Sequence, residues 1–243
     1  MGMIESQAGF SLAEPTKITE LLRLEEVTKT YVTDGQSVHA LNDVSLRAQA
    51  GEFIALVGRS GCGKSTLLNL AGAMDFPTTG RVLLDGVSSS NWNEMGLTRL
   101  RREKVGFIFQ SFQLLNTLSV VENVELPLLL AGQTDTRERA QQQLELVELG
   151  ELHSRMPHQL SGGQMQRVAI ARAMVHAPKL LLADEPTGNL DTITGNVILE
   201  LLRRIADEHK TTILMATHSL ESASFADAVA RMRDGKIEEI VRS

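Results

Sequence analysis

The run Phe53-Ile54-Ala55-Leu56-Val57, followed at once by Gly58-Arg59-Ser60-Gly61-Cys62-Gly63-Lys64-Ser65-Thr66, leaves few folds open. A short, wholly apolar run bounded by glycine is consistent with a strand buried on both faces, as in a parallel sheet. The residues after it have the form G-x-x-x-x-G-K-[ST], which carries meaning only between a strand and a helix. That context is met, because Lys64 to about Ala71 reads as the helix. Gly58, Gly61 and Gly63 let the backbone turn tightly with its N–H groups inward, Lys64 adds a cation, and the Ser65 hydroxyl is suited to hold Mg²⁺. The helix N-terminus contributes partial positive charge. A plain glycine-rich turn needs neither the lysine nor the hydroxyl pair behind it, so the loop predicts a nucleoside triphosphate with Mg²⁺. Cys62, the single cysteine, excludes an internal disulfide and fits a reducing compartment. It reads as a small residue in a variable loop position rather than a redox switch.

Composition serves mainly to exclude. The 243 residues, 42% hydrophobic and 22% charged, suit a soluble globular protein of one large or two small domains. A formal net charge of -6 argues against a general nucleic-acid binder. No run approaches the roughly 20 apolar residues of a membrane helix. Met1 to Thr16 lacks the basic start and apolar block of a secretory signal, and the match of Met1-Gly2 with Ser6 to a myristoylation pattern is discounted as too short.

Residues 1–20, punctuated by Gly9 and Pro15, are expected to form a flexible extension, with one domain over 21–243. Leu22 to Val27 and Val38 to Ala48 read as strands joined by an Asp34-Gly35 turn. Tyr31, the only tyrosine, lies beside that turn; its local context favours packing over stacking on a base. Arg81 to Leu84 is a further strand, Asn93 to Arg102 a polar helix, and Val105 to Phe109 an apolar run ending on Gln110. From Leu118 to Arg172 the pattern turns helical, with a capping box expected at Asp135–Glu138 and a helix stop at Gly150. This block, about 111–177, is expected to be a helical insertion in an otherwise α/β domain.

Ser161 and Gln164, within Leu160-Ser161-Gly162-Gly163-Gln164, have capping-box spacing ahead of a helix from Met165 to Met174. Two glycines in a first turn cost up to about 1 kcal/mol each against alanine, and make sense where something approaches the backbone closely. An ordinary weak cap is the local alternative. Lys179 to Ala183 reads as a buried strand ending on Asp184-Glu185-Pro186. Asp184 suits Mg²⁺, directly or through water, and Glu185 suits orienting or deprotonating an attacking water. Beyond a helix from about Thr194 to Glu208, the strand Thr211 to Ala216 leads to His218. Gln110, Asp184, Glu185 and His218 thus all follow carboxyl ends of strands, the edge along which open α/β sheets bind ligands. Alternating strands and helices imply a mostly parallel sheet covered on both faces, closed by a hairpin of Ala228 to Met232 and Lys236 to Val241.

Together these motifs resemble the nucleotide-binding subunit of ATP-binding-cassette (ABC) transporters from about Leu22 onward. The resemblance implies an α/β fold with a P-loop NTPase core, a mostly parallel sheet, an N-terminal antiparallel β subdomain and a helical insertion. It equates Gly58–Thr66 with the phosphate loop, Gln110 with the glutamine loop that also reaches the metal, Ser161, Gly162, Gly163 and Gln164 with the signature, and Asp184 and Glu185 with the acidic strand end. His218 falls on the switch histidine and Asp191 on the dimer-contact aspartate, while Tyr31 matches the aromatic that stacks on adenine, reversing its local reading. The cofactors implied are ATP and Mg²⁺. The partners implied are a second copy in a head-to-tail dimer, each ATP lying between one phosphate loop and the other copy's signature, and an integral membrane permease.

Val105 to Gln110, Leu114-Leu115, Glu122-Asn123-Val124 and Leu182 to Asp191 look most like the macrolide-exporter and lipoprotein-release (MacB/LolD-like) group. That placement implies the cytoplasmic face of a bacterial inner membrane, and a periplasmic partner reached through the permease. Met165, Ser219 and the long N-terminus depart from the family pattern without touching the expected chemistry. A regulatory cassette coupling ATP to a cell-envelope or division complex is the rival reading. DNA-repair and translation cassettes are disfavoured by the acidic balance and the lack of zinc-type cysteine spacing.

Overall fold

Two sheets of opposite character organise the chain in a computed structural model that describes residues 20–33, 36–88 and 93–242. The first is antiparallel, in the order β2-β1-β4-β5, from β1 (Glu20–Thr33), β2 (Gln36–Gln49), β4 (Thr79–Leu84) and β5 (Val87–Ser88). Leu22, Leu24, Val44 and Leu46 are buried while many of their neighbours face solvent, the pattern of a sheet with one face on the core. β1 begins one residue inside the expected extension and runs six residues past Val27, because β2 continues alongside it and pairs Tyr31 with Val38. The rest of the extension, residues 1–19, and the Asp34-Gly35 turn lie outside the described residues.

The second sheet has the order β10-β9-β3-β8-β7-β6. β3 (Phe53–Val57), β6 (Val105–Ile108), β7 (Leu180–Asp184), β8 (Thr212–Thr217) and β9 (Ala228–Arg233) are parallel, and β10 (Lys236–Arg242) closes the antiparallel hairpin. Leu181, Ala183, Ile213 and Met215 face one core, with residues of α3 (Val120–Leu130), α4 (Thr136–Leu146), α5 (Gly162–Met174) and α6 (Thr192–His209). Leu180, Leu182, Leu214 and Ala216 face the other, with α1 (Lys64–Ala71), α2 (Glu94–Lys104) and the antiparallel sheet. Burial on both sides explains why these strands show no alternation. The register sets Val57 beside Thr217, Asp184 beside Ala216 and Ile108 beside Ala183, so the strand ends form one edge.

Two local expectations are corrected. Asp135 adopts a left-handed backbone, φ 56°, and its side chain caps nothing, since an N-cap carboxylate reaches the first-turn N–H groups from extended backbone. The first capping box of the insertion falls instead at the start of α3, on Ser119 with Glu122, the Ser119 N–H donating to Glu122 Oε2 over 2.7 Å. Gly150 does not stop α4. The helix ends at Leu146, the left-handed turn falls on Glu148 (φ 60°), and Leu149 N–H bonds back to the Leu144 carbonyl over 2.8 Å. Val147 and Leu149 are both buried, so the chain turns into the core before the glycine, which opens a short 3-10 turn, Gly150–Leu152.

Ser119→Ala is expected to lower the unfolding free energy by about 1 kcal/mol in urea denaturation. Asp135→Gly is expected to be neutral or mildly stabilising in the same measurement, since glycine carries no steric penalty at positive φ.

Candidate functional site

Asp184, Glu185 and His218 gather on the loop after β3, the first two by contact with it and the third through Glu185. Gly63 takes φ 105°, a conformation an L side chain rarely adopts, and a Cβ there would lie 2.5 Å from the Ala40 carbonyl oxygen of β2. The loop is thus held from outside by elements distant in sequence. The Gly235 N–H donates to the Cys62 carbonyl over 3.1 Å, and the Asn42 N–H donates to the Gly235 carbonyl over 2.8 Å. Cys62 is buried, filling the loop as expected, whereas Arg59, Ser60, Gly61 and Ser65 face solvent.

Lys64 is buried at 6% exposure and curls back into its own loop, donating to the Gly58 carbonyl over 2.7 Å and the Arg59 carbonyl over 3.3 Å. Its ammonium lies 3.8 Å from Glu185 Oε1, and Glu185 Oε2 is 2.7 Å from His218 Nδ1. Glu185 therefore bridges the residues following two other strands. Its backbone is strained, φ 49°, and over-determined: its N–H donates to the Ala216 carbonyl, its carbonyl accepts from Gly188, and Gln166 Nε2 donates to the next carbonyl, Pro186, over 2.7 Å. Asp184 is hydrogen-bonded to the Ser65 hydroxyl; burial raises its carboxyl pKa, that bond opposes the shift, and the neighbouring Glu185 charge adds to it.

Tyr31 joins this group through α1. Its hydroxyl donates to Asp75 Oδ2 over 2.9 Å and is hydrogen-bonded to Thr66 of the loop, while Lys29 Nζ sits 4.8 Å from the ring centroid. Its ring stays 38% exposed at the rim. Gln110, also exposed, turns to Asn189: its carbonyl accepts from Asn189 Nδ2 over 2.9 Å and its amide donates to Asn189 Oδ1 over 3.4 Å.

The second glycine-rich segment stands apart from this edge. Ser161 N-caps α5 with Gln164 in a capping box, as the spacing predicts. Among the described residues no hydrogen bond or ion pair joins Ser161, Gly162, Gly163 or Gln164 to the loop at Gly58–Thr66. Close approach does explain the glycines, but within the chain: a Cβ on Gly163 would lie 2.3 Å from Thr194 Cγ2, and one on Gly162 3.2 Å from Leu190 Cδ2. Thr194 is itself fixed by Asp191, which accepts from its N–H over 3.0 Å and from its hydroxyl over 2.7 Å as the N-cap of α6.

Asn189, Asp75, Gln166 and Gly235 support the site without having been singled out for it. Each acts on a partner distant in sequence or through one backbone atom, which no local pattern records.

The family model described as ABC transporter matches residues 41–188. An ABC transporter ATP-binding protein of Methanocaldococcus jannaschii is 42% identical over 224 residues, 90% of this chain and 95% of that one. A macrolide export ATP-binding/permease protein, MacB of Rhodopirellula baltica, is 44% identical over 226 residues, 91% of this chain but 33% of that longer protein. Among solved structures, a dimeric post-hydrolysis state of the ATP-binding cassette MJ0796 bound to ADP and Pi superposes with a TM-score of 0.84 at 40% identity, covering 91% of this chain and 98% of that one.

Gly163→Ala is expected to destabilise the protein by about 1–3 kcal/mol through overpacking against Thr194. Thr194→Ser in the same chain removes the clashing methyl and keeps the hydroxyl bonded to Asp191, so urea titration should show most of the loss recovered.

Proposed function

This chain belongs to the ABC transporter family and carries its ATPase cassette, and from that premise we propose that two copies bind ATP between them and hydrolyse it to drive a separate membrane permease. The observation that supports the reading is that the two glycine-rich helix starts, at Lys64 and at Gly162, share no hydrogen bond or ion pair among the described residues. The Lys64 loop meets Glu185 directly and His218 through Glu185, while the α5 start packs against Leu190 and Thr194 of the same chain. Half of a site in each copy is the arrangement that uses both.

In this reading the N–H groups of Gly61 to Ser65 cradle the phosphates and Lys64 turns from its loop carbonyls to the β- and γ-phosphates. Arg59, Ser60, Cys62 and Thr66 complete the loop, and Tyr31 stacks on adenine with its hydroxyl held by Asp75 and Thr66. Glu185 orients or deprotonates the attacking water. His218 donates through Nδ1 to the Glu185 carboxylate and contacts the γ-phosphate with its other edge. Hydrolysis then depends on positioning and charge neutralisation. Ser161, Gly162, Gly163, Gln164 and Asp191 act on the nucleotide of the other copy.

The donors present fit Mg²⁺. Asp184 and Ser65 offer hard oxygen donors already in contact, and burial raises the Asp184 carboxyl pKa despite the opposing Ser65 bond and Lys64 charge. Among the described residues no group of three or more His, Cys, Asp or Glu side chains forms a cage, so Asp184 and Ser65 would hold the ion together with the phosphates, water and the Gln110 amide. When bound, the ion neutralises charge on the phosphate oxygens.

No helix among the described residues is long and apolar enough to cross a membrane. MacB proteins are named as combined ATP-binding and permease chains. By analogy we assign this chain to the cytoplasmic face of a bacterial inner membrane, beside a permease of the MacB/LolD type that reaches a periplasmic partner, with residues 111–177 as its helical subdomain.

Glu185→Gln is expected to retain ATP binding, lose hydrolysis by about a hundredfold or more, and accumulate as a dimer on ATP in size-exclusion chromatography. Unmodified turnover by that variant sinks the catalytic assignment. Lys64→Ala is expected to lose nucleotide affinity in a fluorescent-ATP titration.

A mixed dimer of one Lys64→Ala copy and one Ser161→Ala copy is expected to keep one intact site of its two. Measured ATPase activity above that of either homodimer supports the shared site, and activity equal to two intact sites contradicts it.

A further inference from the structure

The loop after Gln110 holds two consecutive non-glycine residues in the left-handed region, Phe112 at φ 61° and Gln113 at φ 51°. Each costs roughly 1–2 kcal/mol relative to ordinary backbone, so something must hold the pair. Within the loop there is only a 2.6 Å bond from the Gln113 N–H to the Ser111 carbonyl, a 3.3 Å bond from the Phe112 N–H to the Phe109 carbonyl, and a bond between the Gln113 and Ser111 side chains. Asn123 of α3 holds Leu115, two residues on, by its N–H and its carbonyl, while the carbonyls of the strained pair itself are held from α5. Arg172 donates through one guanidinium nitrogen to the Gln113 carbonyl over 2.5 Å and through the other to the Phe112 carbonyl over 2.9 Å. Burial lowers the Arg172 pKa, and no charged partner among the described residues opposes it. A half-buried guanidinium spent on two backbone carbonyls, in a fork that lysine does not reproduce, is a costly way to secure a loop unless its position matters.

The same segment reaches the other end of α5. The Phe112 ring lies so close to Gly162 that a Cβ there would sit 3.9 Å from its Cζ. Gln110, just before, is tied instead to Asn189 beyond the catalytic strand end. Phe112 and Gln113 therefore belong to α5 and its Ser161–Gln164 start, while Gln110 belongs to the nucleotide edge. Ser111 is the joint between them.

We propose that Arg172 is a positioning residue that makes the Phe112–Gln113 segment move as one body with α5, so that a displacement of Gln110 at one nucleotide is passed to the Ser161–Gln164 start serving the other. The inference rests on the shared-site reading above. Arg172 touches no reacting atom, and its effect runs through the loop carbonyls.

The test compares Arg172→Met and Arg172→Lys with the unmodified full chain. Both are expected to bind fluorescent ATP within about twofold of normal, because the phosphate loop is untouched. Arg172→Met is expected to lower kcat about tenfold with KM within about threefold, and Arg172→Lys, which keeps a charge and part of the donor set, to recover several-fold of that loss. Hydrogen exchange without nucleotide is expected to rise about tenfold or more at the Gln113 amide, and to stay level in the interior of α5 and at Leu115, whose N–H donates to Asn123 Oδ1 of α3 over 2.8 Å. In a Glu185→Gln background, Arg172→Met should raise the ATP concentration for half-maximal dimer formation by about tenfold.

Unaltered kcat and exchange in either folded variant overturns the proposal, as does a loss of kcat that follows a chain-wide rise in exchange. Should Arg172→Met fail to fold, Arg172→Lys decides alone, with a fall of about threefold in kcat and locally raised exchange expected. Locally raised exchange with unchanged dimer formation overturns the transmission. Failure of Glu185→Gln alone to dimerise on ATP instead removes the shared site and the transmission with it, leaving the exchange result to report on the loop contact separately.

Discussion

An ammonium group buried at a strand end is the constraint on which the site depends. Removing a lone charge from water costs several kcal/mol unless it is paired and hydrogen-bonded. Lys64 meets that demand with the carbonyls of Gly58 and Arg59 and the facing carboxylate of Glu185. The loop must then curl around its own lysine, which needs left-handed turns at Gly61 and Gly63 and an outside hold from the Gly235 turn. The carboxylate must sit at the end of β7, one strand beyond the neighbouring β8, which the β3–β8–β7 register provides. Phosphate oxygens are acceptors of the same kind as those carbonyls but carry full charge, so the lysine is pre-placed to exchange one set for the other.

A second dependence runs through α5. Its first turn packs on α6 at Thr194, its Gln166 holds the Pro186 carbonyl beside the strained Glu185, and its Arg172 holds the loop after Gln110. Three loops of different sequence origin are thereby indexed to one rigid element. Gly162 and Gly163, lacking side chains, let that first turn pack closely on Leu190 and Thr194.

Much of this was legible in the residues. Wholly apolar runs at Phe53–Val57 and Leu180–Ala183 announced strands buried on both sides, and the spacing of Gly58, Gly63, Lys64 and Ser65 announced a phosphate cradle. Ser161 with Gln164 proved a true capping box. The same rule misled at Asp135, because capping needs extended backbone as well as the right side chain, and Asp135 is left-handed. Gly150 misled for a related reason: with Val147 and Leu149 buried, the helix ended at Leu146, four residues before the glycine, and Glu148 took the strained position.

The sequence alone determined the order of strands and helices, the chemistry of the phosphate loop, and the residue types at each strand end. These follow from periodicity, glycine placement and charge, all of which act within a few residues. Only the tertiary structure decided which of those residues meet. It paired Glu185 with both Lys64 and His218, set Asp75 behind Tyr31, tied Gln110 to Asn189, and gave Arg172 the carbonyls of a loop some sixty residues earlier. Such contacts depend on sheet register and helix packing across long separations, and backbone carbonyls, which every residue carries, leave no mark in the sequence when they are chosen as partners.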